Sequence, residues 1–122
     1  MSTVLRISGN QEQLKGYLDT CENLDDIFEA EINGQDDLVF SLSDHKDWEL
    51  HQWEVQWNIP KLSDVLNKAS ADGNLGVIDL AVWVGVEGEE NIKIRCYSYG
   101  LDLLQVITKY SLSLEVTVYN IG

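Results

Sequence analysis

The sequence predicts an α+β fold with a ferredoxin-like, mixed or antiparallel sheet whose helices pack mainly on one face. Segments with the two-residue apolar period of strands alternate with segments of helical period, in the order β-α-β-β-β-α-β-β-α-β. The chain also passes from strand to helix in a similar way near both ends, at residues 5–9 and 94–100, and each helix is followed by a strand. Split β-α-β units of this kind build ferredoxin-like sheets.

The chain opens with a strand and an amphipathic helix. Residues 3–8 alternate, so Val4 lies on one face of the strand and Leu5 and Ile7 on the other. Asn10 is placed to cap a helix over roughly residues 11–22. The apolar positions of this helix repeat at helical spacing and are Leu14, Tyr17, Leu18 and Cys21.

Three extended segments are predicted next. Residues 27–32 and 38–42 form a hairpin across a loop that begins with Asn33 and Gly34. The stretch DHKDWELHQWEVQW, residues 44–57, reads as a further extended segment, and it contains three of the four tryptophans and both histidines.

The second half of the chain alternates helices and strands. Pro60 and Gly73 frame a helix, since proline is favoured in the first turn and glycine just past the end. Residues 77–86 are the most apolar segment and predict a central strand buried on both faces. A hairpin partner over residues 92–96, a helix after Gly100 and a last strand follow. The last strand places on one face Leu112, Leu114, Val116 and Val118.

Length and composition indicate a single domain, residues 1–122, that functions in the cytoplasm. No apolar run approaches the roughly 20 residues of a membrane span, and the N-terminus lacks a signal-peptide core. Cys21 and Cys96 are expected to be reduced core residues. The formal net charge of −13 disfavours nucleic acid and anionic membrane surfaces as partners, and it favours capture of a basic protein.

Catalytic motifs are not found in the sequence, and we expect neither enzymatic activity nor a cofactor. The glycines stand singly at breaks, and no nucleophile motif is present. The ligand-type residues around His45 and His51 raise the question of a metal site, but the two histidines are six positions apart. In a strand they would lie about 20 Å apart at ~3.3 Å per residue. Two ordinary surface histidines and no metal are the expectation.

Strand parity divides the tryptophans into two groups. Trp53, Val55 and Trp57 share one face of an extended segment, so we expect them in the core. Trp48 has the opposite parity and stands between Asp47 and Glu49. We therefore expect Trp48 to be partly exposed and to serve as an aromatic contact for a partner.

The last third of the chain, from residue 83 to the end, resembles a family of small bacterial proteins known only as a domain of unknown function. The resemblance lies in a strand over residues 92–96, a leucine-rich helix over residues 101–110, and a strand that ends near Tyr119. It extends to the tryptophan-containing segment before the middle helix and to the opening strand and helix, but not to the acidic residues 22–47. The family resembles immunity proteins encoded beside secreted bacterial toxins. The resemblance implies a small, acidic, cytoplasmic protein that binds a basic toxin domain such as a nuclease.

The sequence therefore predicts an immunity protein, a monomer or weak homodimer, that binds a cognate toxin. An alternative is a small-molecule or metal-binding α+β domain centred on residues 44–57. The candidate partner-binding residues are acidic side chains in turns together with one tryptophan: Asp25, Asp26, Asp36, Asp37, Asp44, Asp47, Trp48, Glu87, Glu89 and Glu90.

Overall fold

The computed structural model describes residues 1–21, 29–34, 36–84 and 98–120, and these contain five strands and four α-helices. A short 3₁₀ turn, Ile59–Leu62, joins the second and third helices. The elements are β1 (Ser2–Ser8), α1 (Gln11–Thr20), β2 (Ala30–Asn33), β3 (Asp37–Ser43), α2 (Trp48–Asn58), α3 (Ser63–Ala71), β4 (Gly76–Val84), α4 (Leu101–Lys109) and β5 (Ser113–Asn120).

The strands form one mixed sheet in the order β2-β3-β1-β4-β5, which confirms the α+β class. The central strand β1 pairs antiparallel with both β3 and β4, and β2 pairs antiparallel with β3. Among the described strands only β4 and β5 run parallel. The predicted ferredoxin-like order is not confirmed, because the described elements follow the order β-α-β-β-α-α-β-α-β and β5 adds a strand parallel to β4.

The core lies between one face of the sheet and the helices. Across four neighbouring strands, register places Phe40, Leu5, Ile78 and Leu114 in one row on this face. All four helices contribute buried side chains to the same cluster: Leu14, Tyr17, Val55, Val65, Leu66, Ala69, Leu103 and Ile107. Burying these apolar groups is the main driving force for folding, at roughly 25 cal/mol per Å².

The prediction of an extended segment over residues 44–57 is wrong, since Trp48–Asn58 is helical. Asp47 caps this helix by accepting a hydrogen bond from the Leu50 amide. The buried positions are His51, Val55 and Ile59, at i, i+4 and i+8, which is the period of a helix and not of a strand. Strand parity therefore gave the wrong face for the tryptophans that follow Trp48.

One strand is less buried than the sequence predicts, and the last described strand is exposed at the edge of the sheet. In β4, Ile78 and Leu80 are buried, but Trp83 on the other face is exposed, so the prediction of burial on both faces is wrong. In β5, Leu114, Val116 and Val118 share the predicted face. All three are exposed, because β5 is the last strand of the described sheet. The predicted strand over residues 92–96 and the start of the one over 27–32 lie outside the described residues.

The first helix begins where the sequence predicts. The side chain of Asn10 accepts a hydrogen bond from the Gln13 amide, and the Gln13 side chain accepts one from the Asn10 amide. This reciprocal capping box satisfies two amide groups that an uncapped helix leaves without partners.

The third helix ends in a Schellman motif at Gly73. The Gly73 amide donates to the Ser70 carbonyl, and the Asn74 amide donates to the Ala69 carbonyl. The φ angle of Gly73 is +80°, a left-handed conformation that glycine adopts without steric cost. This confirms the helix end predicted from Gly73.

The fourth helix ends in the same motif, but Ser111 occupies the left-handed position with a φ of +54°. The Ser111 amide donates to the Thr108 carbonyl, and the Leu112 amide donates to the Ile107 carbonyl. A residue with a Cβ atom is disfavoured in this conformation by roughly 1–2 kcal/mol.

Replacing Ser111 by glycine should stabilise the protein. Relief of the left-handed strain, partly offset by the greater flexibility of unfolded glycine, should raise the free energy of unfolding by about 0.5–1 kcal/mol. Denaturant unfolding measures this change. Gly73→Ala is the matched control and should have the opposite sign, because its left-handed turn then acquires a Cβ atom. A Ser111→Gly variant no more stable than the parent would contradict this reading.

Candidate functional site

The predicted partner-binding residues do not form one cluster. Asp36 and Asp37 lie at the start of β3, whereas Asp44 and Asp47 follow its end. The seven residues of β3 separate the two pairs by about 20 Å at ~3.3 Å per residue. Five further candidates lie outside the described residues: Asp25, Asp26, Glu87, Glu89 and Glu90.

Two of the described acidic candidates have structural contacts. Asp37 accepts a hydrogen bond of 2.6 Å from the Ser8 hydroxyl, which joins the ends of β3 and β1. Asp47 caps α2. Asp36 and Asp44 are exposed. The structure thus brings together Asp44, Asp47 and Trp48 at the N-terminal end of α2 and leaves Asp36 and Asp37 at the other end of the sheet.

Trp48 is half-buried, as predicted, but it is also fixed within the molecule. Its indole Nε1 donates a 3.0 Å hydrogen bond to the Ser98 carbonyl. Its ring stacks on His51 and meets Tyr99 edge-on, with ring centroids 5.7 and 5.4 Å apart. Trp48 therefore attaches the chain before α4 to the start of α2, and only part of its surface is open to a partner.

His51 is fully buried, so the expectation of a surface histidine is wrong for this residue. Nδ1 lies 2.9 Å from the His45 carbonyl, and Nε2 lies 2.6 Å from the Thr3 hydroxyl. With its proton on Nδ1, the neutral ring donates to that carbonyl and accepts from Thr3. Neutral histidine thus satisfies both contacts, and burial lowers the pKa of His51 from its ordinary value of 6.5.

Ser43, His51 and Glu54 lie close together, but their hydrogen bonds run in a direction that does not activate a nucleophile. The Ser43 hydroxyl donates a 2.6 Å bond to the Glu54 carboxylate, and its oxygen is 3.3 Å from Nδ1 of His51. In a catalytic triad the serine donates to the histidine and the carboxylate orients that histidine, whereas here the carboxylate accepts from the serine directly. Ser43 is also buried, so these groups stabilise the junction of β1, β3 and α2.

The most exposed tryptophans are Trp53 and Trp57, each with 59% of its surface accessible, so the prediction that they belong to the core is wrong. Their rings stack with centroids 5.4 Å apart and planes 8° from parallel. Leu50 lies one turn earlier on α2 and is half-exposed. We call Leu50, Trp53 and Trp57 the α2 aromatic surface. It faces away from the side chains that α2 buries.

A groove runs beside this surface, between α2 and the start of α4, with a volume of about 290 Å³. Gln52 of α2 fixes the opposite wall by accepting a 2.8 Å hydrogen bond from the Gly100 amide. The groove is lined by polar, acidic and apolar side chains and one glycine: Glu49, Gln52, Trp53, Gln56, Gly100, Leu101, Asp102 and Leu103.

Sequence reasoning missed this surface, although a signal was present. His51, Val55 and Ile59 recur every four residues, and so do Trp53 and Trp57. Each series has the spacing of one face of a helix, and the offset between the two series places them on different faces. The series was obscured because a histidine occupies a core position.

A second surface lies on the sheet face opposite the helices. There Arg6 donates to Glu115 at 2.9 Å and to Asp79 at 3.4 Å, and the Glu115 hydrogen bond and the nearby carboxylates raise the pKa of its guanidinium. Trp83 and Tyr119 stack across β4 and β5 at 5.6 Å. This face already pairs its arginine internally, and its aromatic residues are less exposed than the α2 aromatic surface.

Clusters of metal ligands and membrane-spanning helices are both missing from the described ranges. No group of three or more His, Cys, Asp or Glu residues there could hold a metal ion. In the same ranges, no helix is long and apolar enough to cross a membrane.

Comparison of the chain with models of protein families, with curated proteins and with solved structures finds no match in any of the three. The resemblance to immunity proteins described above therefore stays a prediction.

The buried, neutral state of His51 predicts a stability that falls at acidic pH. The folded chain binds this proton less readily than the unfolded chain, so the stabilisation is present above the ordinary pKa of 6.5 and is lost as the pH falls from there through the lowered pKa of the folded chain. The free energy of unfolding should therefore decrease between pH 7.5 and 5.5, as measured by urea denaturation. Nearby Glu54, His45 and the N-terminal amine also influence this titration.

His51→Gln should lose most of this dependence on pH and be less stable at pH 7.5 by about 1–3 kcal/mol, since buried hydrogen bonds are disturbed. His45→Gln is the control and should retain the decrease. If His51→Gln kept the full decrease, another group would be responsible for it.

Proposed function

We propose that this protein is an immunity protein that binds and neutralises a basic bacterial toxin domain through the α2 aromatic surface. The stacked, exposed pair Trp53 and Trp57 carries this proposal. Tryptophan is among the residues that most often dominate the energy of protein interfaces. Two such rings side by side on a rigid helix need no ordering before a partner covers them.

The exposed apolar area of Trp53 and Trp57 is large enough to contribute substantially to the free energy of binding. An aromatic side chain can bury up to about 250 Å². The 59% exposed fraction then leaves roughly 150 Å² on each ring. At ~25 cal/mol per Å², covering both would contribute roughly 7 kcal/mol before the cost of association is subtracted. These two residues could therefore supply a large part of the energy of a stable complex.

Charge supports a basic partner. The net charge is −13, and Glu49 and Asp102 line the groove beside Trp53. Asp44 and Asp47 lie at the N-terminal end of the same helix and extend the acidic region. Asp36 and Asp37 lie too far away for the same contact and would act through the long-range field. Such fields accelerate association more than they strengthen the final complex.

In this role the protein binds its partner without enzymatic activity or a cofactor. It acts in the cytoplasm as a monomer or weak homodimer. The resemblance to immunity proteins supports the same role. The alternative of a small-molecule site centred on residues 44–57 has less support, because the groove of about 290 Å³ is open and the cavity beneath Trp48 and His51 measures only about 10 Å³. Small-molecule sites usually enclose ~300–1,000 Å³.

Removing either exposed tryptophan should weaken binding to the cognate toxin, for which the product of the neighbouring gene is the first candidate. Trp53→Ala and Trp57→Ala should each raise the Kd by at least about 30-fold, as expected of interface residues worth ~2 kcal/mol. Isothermal titration calorimetry measures the change, and growth rescue in cells that express the toxin provides a second measure.

Trp83→Ala is the matched control, because it removes an exposed tryptophan from the opposite sheet face. Its Kd should equal that of the parent, once circular dichroism shows that each variant folds. If no neighbouring product binds the chain or is neutralised by it, the proposed function is wrong.

The association rate should depend on ionic strength. Between about 20 and 500 mM salt, the association rate constant should fall by about tenfold or more, because screening shortens the reach of the acidic field. The dissociation rate constant should change much less, since the tryptophan contacts are apolar. Stopped-flow fluorescence measures both constants. An association rate independent of salt would show that the acidic surface does not guide this partner.

A further inference from the structure

One row of side chains on α2 and the turn after it has a charge pattern that points to its ligand. Glu49, Trp53, Trp57 and Lys61 follow one another at intervals of four residues. The two indole rings stack in the middle, and Lys61 Nζ lies over the Trp57 ring at 5.9 Å from its centroid. One end of the aromatic pair therefore already carries a cation.

The other end of the row meets an acid and opens into the groove. Glu49 and Trp53 both line the groove, one helical turn apart on α2. A cation placed over Trp53 would meet the indole face and the Glu49 carboxylate together. This would reproduce at Trp53 the contact that Lys61 makes at Trp57, with an added carboxylate.

The opposite wall of the groove adds a second carboxylate and an apolar contact. Asp102 and Leu101 stand in the first turn of α4, and both are exposed. Of the described residues that line the groove, only Glu49 and Asp102 are charged. The groove thus presents two carboxylates with no basic residue among its described lining.

The positive end of the α4 helix dipole disfavours a cation in the groove, but its effect is smaller than that of the two carboxylates. The N-terminus of a helix is equivalent to roughly half a positive charge. Two full carboxylate charges outweigh it. The Gly100 amide is also engaged by Gln52 and is not available to an anion.

We infer that this groove receives an arginine side chain of the partner protein, with its guanidinium stacked on Trp53 between Glu49 and Asp102. Arginine fits better than lysine because its planar, weakly hydrated group stacks on aromatic faces and offers several donors at once. Leu101 contacts the aliphatic part of the side chain, and the Gln52 and Gln56 side chains line the base. This inference rests on the proposed function for the identity of the partner, but its chemistry can be tested without that partner.

The test uses the isolated chain, labelled with ¹⁵N, and N-acetyl-argininamide as the probe. The indole Nε1–H signals of the four tryptophans are assigned from single Trp→Phe variants. The Trp53 signal should move in a saturable manner as the probe is added, whereas the Trp83 signal should stay in place. N-acetyl-citrullinamide has nearly the same shape without the charge, and it should bind at least about fivefold more weakly.

Variants then test the two carboxylates. Glu49→Gln combined with Asp102→Asn should weaken binding of the probe by at least about fivefold. The control pair, Glu31→Gln with Asp19→Asn, removes the same charge at exposed positions that do not line the groove and should leave binding unchanged. N-acetyl-lysinamide binding as strongly as the arginine probe would overturn the choice of arginine. A Trp53 signal that does not move, or that moves equally with citrulline, would overturn the inference.

The outcomes separate the two proposals. If a toxin binds and Trp53→Ala abolishes binding, but the arginine probe does not bind, the proposed function stands and the groove inference fails. If the probe binds as expected but no toxin is neutralised, the groove chemistry stands and the proposed function fails.

Discussion

The hydrogen bond between Thr3 and His51 joins the central strand of the sheet to the helix that carries the exposed tryptophans. Because the ring must also reach the His45 carbonyl, the rotation of α2 about its axis is fixed. An unsatisfied buried imidazole would cost about 1–3 kcal/mol. α2 also carries apolar side chains on its solvent side, at Leu50, Trp53 and Trp57, so hydrophobicity alone does not specify which side is buried. The polar contact therefore determines which stripe of the helix faces solvent.

Patterns in short stretches of sequence predicted the local structure correctly where apolar residues are buried and polar residues are exposed. The cap at Asn10, the helix end at Gly73 and the alternation of β1 were all predicted correctly, because each depends on residues close together in the chain. The same sequence patterns gave the wrong structure for α2, where a buried histidine and exposed tryptophans invert the usual distribution of polar and apolar side chains. The exposure of β5 could not be predicted either, since it depends on which strand ends the sheet.

In the candidate site, too, some features follow from residues close together in the chain and others depend on contacts between distant residues. Partial exposure of Trp48 followed from its neighbours in sequence, but its bond to Ser98 depends on a contact between residues 50 positions apart. The placement of Glu49 and Asp102 on the two walls of the groove likewise requires α4 to pack beside α2. Recognition by this chain would thus combine a row of residues encoded locally, every fourth position of α2, with a wall supplied by the packing of a distant helix.

The twin turns at Gly73 and Ser111 precede the two strands that run side by side in the same direction, β4 and β5. Each turn follows a helix of nine residues and leads within a few residues into a strand. The α3–β4 and α4–β5 segments are therefore two helix-turn-strand modules with the same turn, and their strands pair parallel. Sheets built from such modules can be lengthened by adding another copy at the edge. Such a copy would pair with β5, whereas the opposite edge of the described sheet ends in β2, which pairs antiparallel with β3.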